Sequence, residues 1–263
     1  MSAAGIVASY WVLPAGNAEG WIGAGDHDVI VNAHGSMSGV REIELTAPTG
    51  SAPRVRTYPC LMGVVALCPT DWSQTFTIAQ DDLPEGASDL QAVATDGLGT
   101  RSDPVVKTVK VDRSAPELQL GGALSDAADS WLDDRAYALA IAASDGSPSQ
   151  LRSGVRSIEL LVDDVRQAFA EQECPTGSCP MQRVLQVDAA ELAEGRHDVR
   201  VVAIDQAGNR TQRSFSVGVD RRVPELVLTG ALAGEPDGQP GVLRVAAREP
   251  DLAATGSGVV RLS

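Results

Sequence analysis

The residues of this chain with chemistry to offer are four cysteines, three histidines and a large supply of aspartates. The cysteines fall as two local pairs, Cys60/Cys68 and Cys174/Cys179, each just ahead of a strand-like stretch, TFTI in one case and VLQV in the other. The segment CPTGSC (174–179) carries Gly177 and a proline, which let the chain double back so that a disulfide can close the loop. A bridge over so short a loop stabilises by roughly 2–2.5 kcal/mol through the entropy it removes from the unfolded chain. Two such pairs at equal places, with no other cysteine, fit an oxidising compartment. Buried free thiols are the alternative. Zinc is a further one, although Cys-x4-Cys has no second pair nearby to complete a tetrahedron, and a redox dithiol calls for Cys-x-x-Cys.

The aspartates group at turns. Asp96 in ATDGLGTRSD (94–103) and Asp205 in AIDQAGNRTQ (203–212) head matching hairpins, with Gly99 and Gly208 free to take positive φ. Each aspartate can accept bonds from its own following amides as an Asx-type turn. The competing reading is calcium, because clustered carboxylates and carbonyls suit that ion. Asp112 and Asp220, at the ends of neighbouring strands, join Asp96 and Asp205 as the candidate ligands. No EF-hand pattern accompanies them. His27, His34 and His197 read as surface loop or strand-edge residues. Nucleophile elbow, Walker loop, dinucleotide-binding glycines and His-Glu-x-x-His are all missing from the sequence. No catalytic residue, cofactor or cofactor-binding residue is therefore predicted, and the chain does not read as an enzyme.

The elements that position these residues are written twice. VDRSAPELQLGGAL (111–124) returns 108 residues later as VDRRVPELVLTGAL (219–232). SGVREIEL (38–45) lies over SGVRSIEL (153–160), GASDLQAVATD (86–96) over GRHDVRVVAID (195–205), and Trp21-Ile22 over Trp131-Leu132. A third copy opens with VLRVAAREP (242–250) and SGVVRL (257–262). A repeat of this length is the size of a small domain. The expected units are 1–113, 114–222 and a truncated third at 223–263.

Within the second unit apolar residues alternate: Tyr137, Leu139, Ile141 and Ala143; Ile158, Leu160 and Val162; Leu185 and Val187; Val199, Val201 and Ala203; Phe215, Val217 and Val219. One-sided alternation needs strands with one buried face. Turn-rich text such as ASDGSPSQ and DQAGN separates them, and VDAAELAEGR (187–196) reads as a short helical turn between two strands. About seven short strands per unit predict an all-β fold of antiparallel sandwiches. Between units, Pro116 holds Ala115 extended, so a strand ending near Val111 passes stiffly to one beginning near Glu117.

With 35 acidic and 21 basic residues the formal charge is -14, which argues against nucleic acid or an anionic membrane surface as partner. No apolar run reaches the length of a membrane span. The opening MSAAGIVASYWVLPAGN lacks the basic start of a secretory signal, and SGVVRLS breaks off inside a strand-like stretch, so the chain reads as a fragment of a longer protein.

VDRSAPELQLGGAL and its second copy, SGVRSIELLVDD (153–164), CPTGSC and GRHDVRVVAIDQAGN (195–209) resemble bacterial immunoglobulin-like (Ig-like) repeat modules. They are most similar to the modules of large secreted or cell-surface proteins of high-GC Gram-positive bacteria that carry RHS/YD repeats. The resemblance covers nearly the whole chain and is thinnest over residues 1–20. It implies a tandem Ig-like array, extracellular or at the cell surface, serving as non-catalytic spacer or stalk. Its partners would be neighbouring domains of the same polypeptide. The first unit departs from the pattern with CLMGVVALC (60–68) where the second has CPTGSC. The alternative function is an adhesive module whose loops bind a surface protein or carbohydrate. Trp11 and Trp72, which have no counterpart in the other unit, are its candidate contact residues, whereas Trp21 and Trp131 match and read as plugs at the sandwich end.

Overall fold

The structure, a computed structural model, describes the backbone of residues 7–12 and all of 20–60, 68–146, 151–175, 177–229, 243–248 and 257. The side chain of Trp11, the interior of the CLMGVVALC loop and most of the third copy lie outside the described residues. The fold is all-β, in small and mostly antiparallel sheets arranged as tandem Ig-like sandwiches.

The first sandwich is built from β1 (Val7–Val12), β2 (Trp21–Ile22), β3 (His27–His34), β4 (Val40–Thr46), β5 (Arg54–Thr57), β6 (Asp71–Ile78), β7 (Gly86–Asp96) and β8 (Val105–Val111). Its sheets run β2-β8-β7-β4-β5 and β1-β3-β6. The second repeats the plan with β9 (Glu117–Gly121), a single-turn α1 (Ala123–Asp126), β10 (Trp131–Leu132), β11 (Ala136–Ser144), β12 (Val155–Val162), β13 (Val165–Glu171), β14 (Met181–Asp188), β15 (Gly195–Asp205) and β16 (Arg210–Val219). Its sheets run β10-β16-β15-β12-β13 and β14-β11-β9. A last hairpin pairs β17 (Glu225–Thr229) with β18 (Arg244–Arg248), as β9 pairs with β11.

The alternating residues do what their period demands. Tyr137, Leu139, Ile141 and Ala143 face Ile158, Leu160, Val162, Val199, Val201, Ala203, Val217 and Val219 in one core. Val29, Val31, Ile43, Leu45, Phe76, Leu90, Val109 and Val111 form the other. The expected seven strands become eight because β10 forms a separate two-residue strand. It pairs parallel to β16, Trp131 opposite Gly218 and Leu132 opposite Val219; β2 does the same on β8. Alternation cannot be read from two residues, so this strand was not foreseen. Bare of a side chain, Gly218 lets the Trp131 ring lie on the strand: a Cβ there would come within 2.4 Å of Cε3. The Arg196 guanidinium covers the ring at 4.7 Å from its centroid.

Both cysteine pairs are bridged, Cys60 to Cys68 and Cys174 to Cys179. The glycine of each SGV phrase lies directly beneath its bridge. Gly39 has φ +63 and Gly154 has φ +80; a Cβ would meet the Cys68 carbonyl oxygen at 2.2 Å in one case and Cys174 Sγ at 2.3 Å in the other. Only glycine adopts that backbone region at no steric cost, so SGV and the cystine loop are one structural device.

The arginine of each VDR phrase has a matching task. Arg113 donates through Nη2 to the carbonyls of Gln80 and Leu83, both at 2.7 Å. Arg221 donates likewise to Ala189 and to Leu192, the latter at 3.0 Å. These carbonyls belong to the 3₁₀ turns Gln80–Asp82 and Ala189–Glu191 and the leucines that follow them. The second of these is the short helical turn expected at VDAAELAEGR. Asp188 caps it by accepting from Ala190 N at 3.0 Å.

Candidate functional site at the unit junction

Three aspartates from distant parts of the sequence converge where the first sandwich meets the second. Asp112 follows β8, Asp145 follows β11 and Asp205 ends β15. One carboxylate oxygen from each lies within 4.8 Å of the others, and all three residues are buried, at 0%, 1% and 0% exposure. Asp145 and Asp205 occupy the inward phase of their strands, two residues beyond Ala143 and Ala203. The alternation that delivers aliphatic side chains to the core delivers these acids to its end.

Donors hold most of the oxygens. Asp112 accepts from Ser114 N at 3.1 Å and Arg152 Nη1 at 3.2 Å on Oδ1, and from Ser153 N at 2.7 Å on Oδ2. Asp145 Oδ2 accepts from Ser153 Oγ at 3.2 Å and Gly154 N at 2.6 Å. Asp205 accepts from Asn209 N and Nδ2, both at 2.8 Å. Asp145 Oδ1 is buried and has no hydrogen-bond partner among the described residues. Arg152 is the one cation that contacts the trio among the described residues, and it divides itself between Asp112 and Glu85.

The electrostatics follow. Burial, opposed by the Asn209 bonds and reinforced by the charges of Asp145 and Asp112, pushes the Asp205 carboxyl up to about 6. Burial first, then the Asp112 charge beside it, raises Asp145 well above the carboxylate range. Asp96, in the same turn of the first sandwich, moves the opposite way. Burial works against its charge, but Thr100 N, Ser38 Oγ and Leu98 N outweigh it and hold the carboxyl below its ordinary value. Among the described residues no second acid joins Asp96; Gly35 stands two residues past Ala33, where Asp145 follows Ala143. A Cβ on Gly35 would meet the Gly39 carbonyl carbon at 2.7 Å. Asp96 is thus the Asx turn that its local sequence describes.

The four candidate ligands therefore separate. Asp112 and Asp205 come together, Asp96 stands apart, and Asp220 belongs to the next junction. There Asp220 accepts from Arg222 N at 3.1 Å and Ser257 N at 2.6 Å, repeating the bonds that Asp112 makes with Ser114 and Ser153. Asp145 was missed by sequence reasoning because ASDGSPSQ was read as turn text alone. The signal was present, as an acid on the apolar phase of a strand.

His34 is exposed beside Asp71, and His27 bonds the Gly23 carbonyl at 3.0 Å. His197 overturns the surface expectation. It is buried, with Nδ1 at 2.6 Å from Asp163 Oδ2 and Nε2 at 2.8 Å from the Ala193 carbonyl. Both partners are acceptors, so the doubly protonated ring is the form that satisfies both contacts. Burial opposes that charge, but the bonds to Asp163 and the Ala193 carbonyl prevail and raise its pKa. The second sandwich has filled with a charged pair the place held by Ser88 in the first. Trp21 is buried and Trp131 half-buried at equivalent positions. Trp72 is half-buried against the core, edge-on to Tyr58 at 5.7 Å. Among the described residues no helix is long and apolar enough to cross a membrane.

No protein-family model matches the chain, and no curated protein matches it. Solved structures do. Fibronectin(III)-like modules of Clostridium thermocellum CbhA share 19% identity over 80% of this chain and 94% of theirs, with a TM-score of 0.44. A 1.5-MDa bacterial ice-binding adhesin shares 12% over 86% of this chain and 69% of its own, with a TM-score of 0.40. A tetra-tandem repeat from the extending region of a large adhesion protein shares 18% over 86% and 52%, with a TM-score of 0.30.

Proposed function

We propose that this chain is a non-catalytic run of Ig-like units, bounded as 1–113, 114–222 and 223–263, within a bacterial surface or secreted protein of structural or adhesive type. Its units would hold a binding or effector region away from its anchorage. The observation that carries this reading is the bonding across the first junction. Asp112 receives Ser153 N at 2.7 Å through its side chain and Asn209 Nδ2 at 2.8 Å through its carbonyl, while Arg152 reaches back to Glu85 at 2.9 Å. Gly23 admits the second unit closely, since a Cβ there would lie 2.8 Å from the Ala207 carbonyl oxygen. A link tied on both sides spaces its neighbours, where an untied one would let them swing. Two bridged cystine loops support an oxidising, extracellular setting. The resemblance to RHS/YD-associated modules makes such a protein the proposed parent. Small-angle scattering of residues 1–222 tests the reading: one fixed arrangement should fit the profile, and a profile fitted only by a broad ensemble of inter-unit angles would refute it.

A second reading has the units bind a surface protein or carbohydrate directly, and the Tyr58–Trp72 pair favours it. Tyr58 is 37% exposed beside the half-buried Trp72, and amphipathic rings of this kind are enriched at interfaces. Loss of binding to a glycan panel in Trp72→Ala, with the fold intact, is its expected signature; a panel on which the wild-type chain binds nothing would refute it.

A further inference from the structure

We propose that Asp112, Asp145 and Asp205 bind one divalent cation of the calcium class at the junction between the first two units. This goes beyond the array reading, which stands or falls on geometry alone. Two independent observations point to a ligand. The carboxylate oxygens lie within 4.8 Å of one another, which is the span of two oxygens on opposite sides of an ion that binds oxygen at about 2.3–2.6 Å. Separately, Asp145 is 1% exposed, yet its Oδ1 has no donor among the described residues. A buried acceptor left without a partner is costly, and the donors that reach the trio among the described residues go to its other oxygens.

The charge count agrees. Three buried carboxylates meet one guanidinium, which Arg152 also shares with Glu85, so at least two negative charges stay uncompensated and a divalent cation offsets them. The donor set is all oxygen, with no thiolate or imidazole in the trio, which selects a hard ion over zinc or copper. Acids from three separated segments set no tight octahedron, which favours calcium over magnesium. The ligands also come from both sides of the junction, Asp112 from the first unit and Asp145 and Asp205 from the second. One ion would therefore join the units as well as neutralise the pocket. The next junction repeats the frame, with Asp220 bound by Ser257 N and, in sequence register, Glu249 at the position of Asp145.

The test is calorimetric titration of the chelator-stripped 263-residue chain with calcium chloride and, separately, magnesium chloride, with melting curves in parallel. We expect saturable calcium binding, a higher melting temperature in calcium, and weaker binding of magnesium. Asp145→Asn and Asp205→Asn should each weaken calcium binding at least about tenfold, since each removes a charged ligand; Asp96→Asn should leave it unchanged. No calcium binding up to about 10 mM, well above the range of extracellular modules, would overturn the proposal. So would magnesium binding tighter than calcium, or wild-type affinity in either junction variant with an unchanged near-ultraviolet dichroism spectrum. If one variant fails to fold, the other decides.

Discussion

Gly154 sits between the second cystine loop and the junction carboxylates, and replacing it separates two costs that are usually confounded. Gly154→Ala forces a methyl group onto a backbone at φ +80, and Gly208→Ala does the same at φ +92. Left-handed backbone costs a non-glycine residue about 1–2 kcal/mol, and both variants incur it. The surroundings differ. At Gly208 nothing lies within 4 Å of the new carbon, whereas at Gly154 it would be 2.3 Å from Cys174 Sγ and 2.7 Å from Cys179 N. The bridge must shift or Gly154 must retreat, and retreat lengthens the 2.6 Å bond from its amide to Asp145. A hydrogen bond to a charged group contributes about 1.5–3 kcal/mol. Gly154→Ala should therefore destabilise the second unit by about 3–4 kcal/mol, against about 1–2 kcal/mol for Gly208→Ala. Urea unfolding followed by Trp131 emission in residues 114–222, where it is the one tryptophan, reads both. A second pair in the Cys174→Ser/Cys179→Ser background should shrink the gap, because the sulfur bridge is then free to yield. Equal costs for the two glycine variants would refute the claim that SGV and the cystine loop are one device.

Three further outcomes follow from features of the fold. His197 has its pKa raised in the folded state, so its contribution is complete below the unfolded value of about 6.5 and is lost as pH rises through the folded one; urea midpoints of the second unit should fall from pH 6 to pH 8.5, and His197→Gln should flatten that slope. Arg221→Ala removes two bonds to the carbonyls of Ala189 and Leu192 and should cost about 1–3 kcal/mol, with Arg221→Lys recovering part of it because an ammonium lacks the planar fork. Gly218→Ala displaces the Trp131 ring, and should red-shift its emission and cost about 1–3 kcal/mol.

The strands were legible in the sequence because their inward residues alternate without a break, and the bridges because each cysteine pair sits at the same place in its unit. The junction proline was legible too: β8 ends at Val111 and β9 starts at Glu117, as Pro116 implied. What escaped were contacts between residues that local text cannot connect. Asp96 and Asp205 head nearly the same phrase, yet one is an isolated turn and the other part of a trio, and the difference lies at Gly35 against Asp145. From sequence alone His197 reads as a surface residue, because its partner Asp163 lies 34 residues away, in the β12–β13 turn. The Asp and Arg of VDR and the Ser of SGV looked like repeat signatures without a task. The Asp and the Ser proved to be the two ends of one hydrogen bond, made at each junction, while the Arg ties down the 3₁₀ turn before the last two strands.

The parallel pairing of β10 with β16 and of β2 with β8 bears on how such a chain responds to being pulled. Tension on the second unit reaches β10 once β9 has been drawn off β11, and leaves past β16. In a parallel pair those two pulls slide the strands along each other, loading their bridging bonds together; a hairpin drawn apart from its open end surrenders its bonds one after another. Each sandwich thus carries a short shear latch between its entry and its exit, with Trp131 under Arg196 sealing one and Trp21 under Lys110 the other. A latch of two register pairs yields abruptly and re-forms locally, so a stretched array of these units would lengthen in discrete steps, unit by unit.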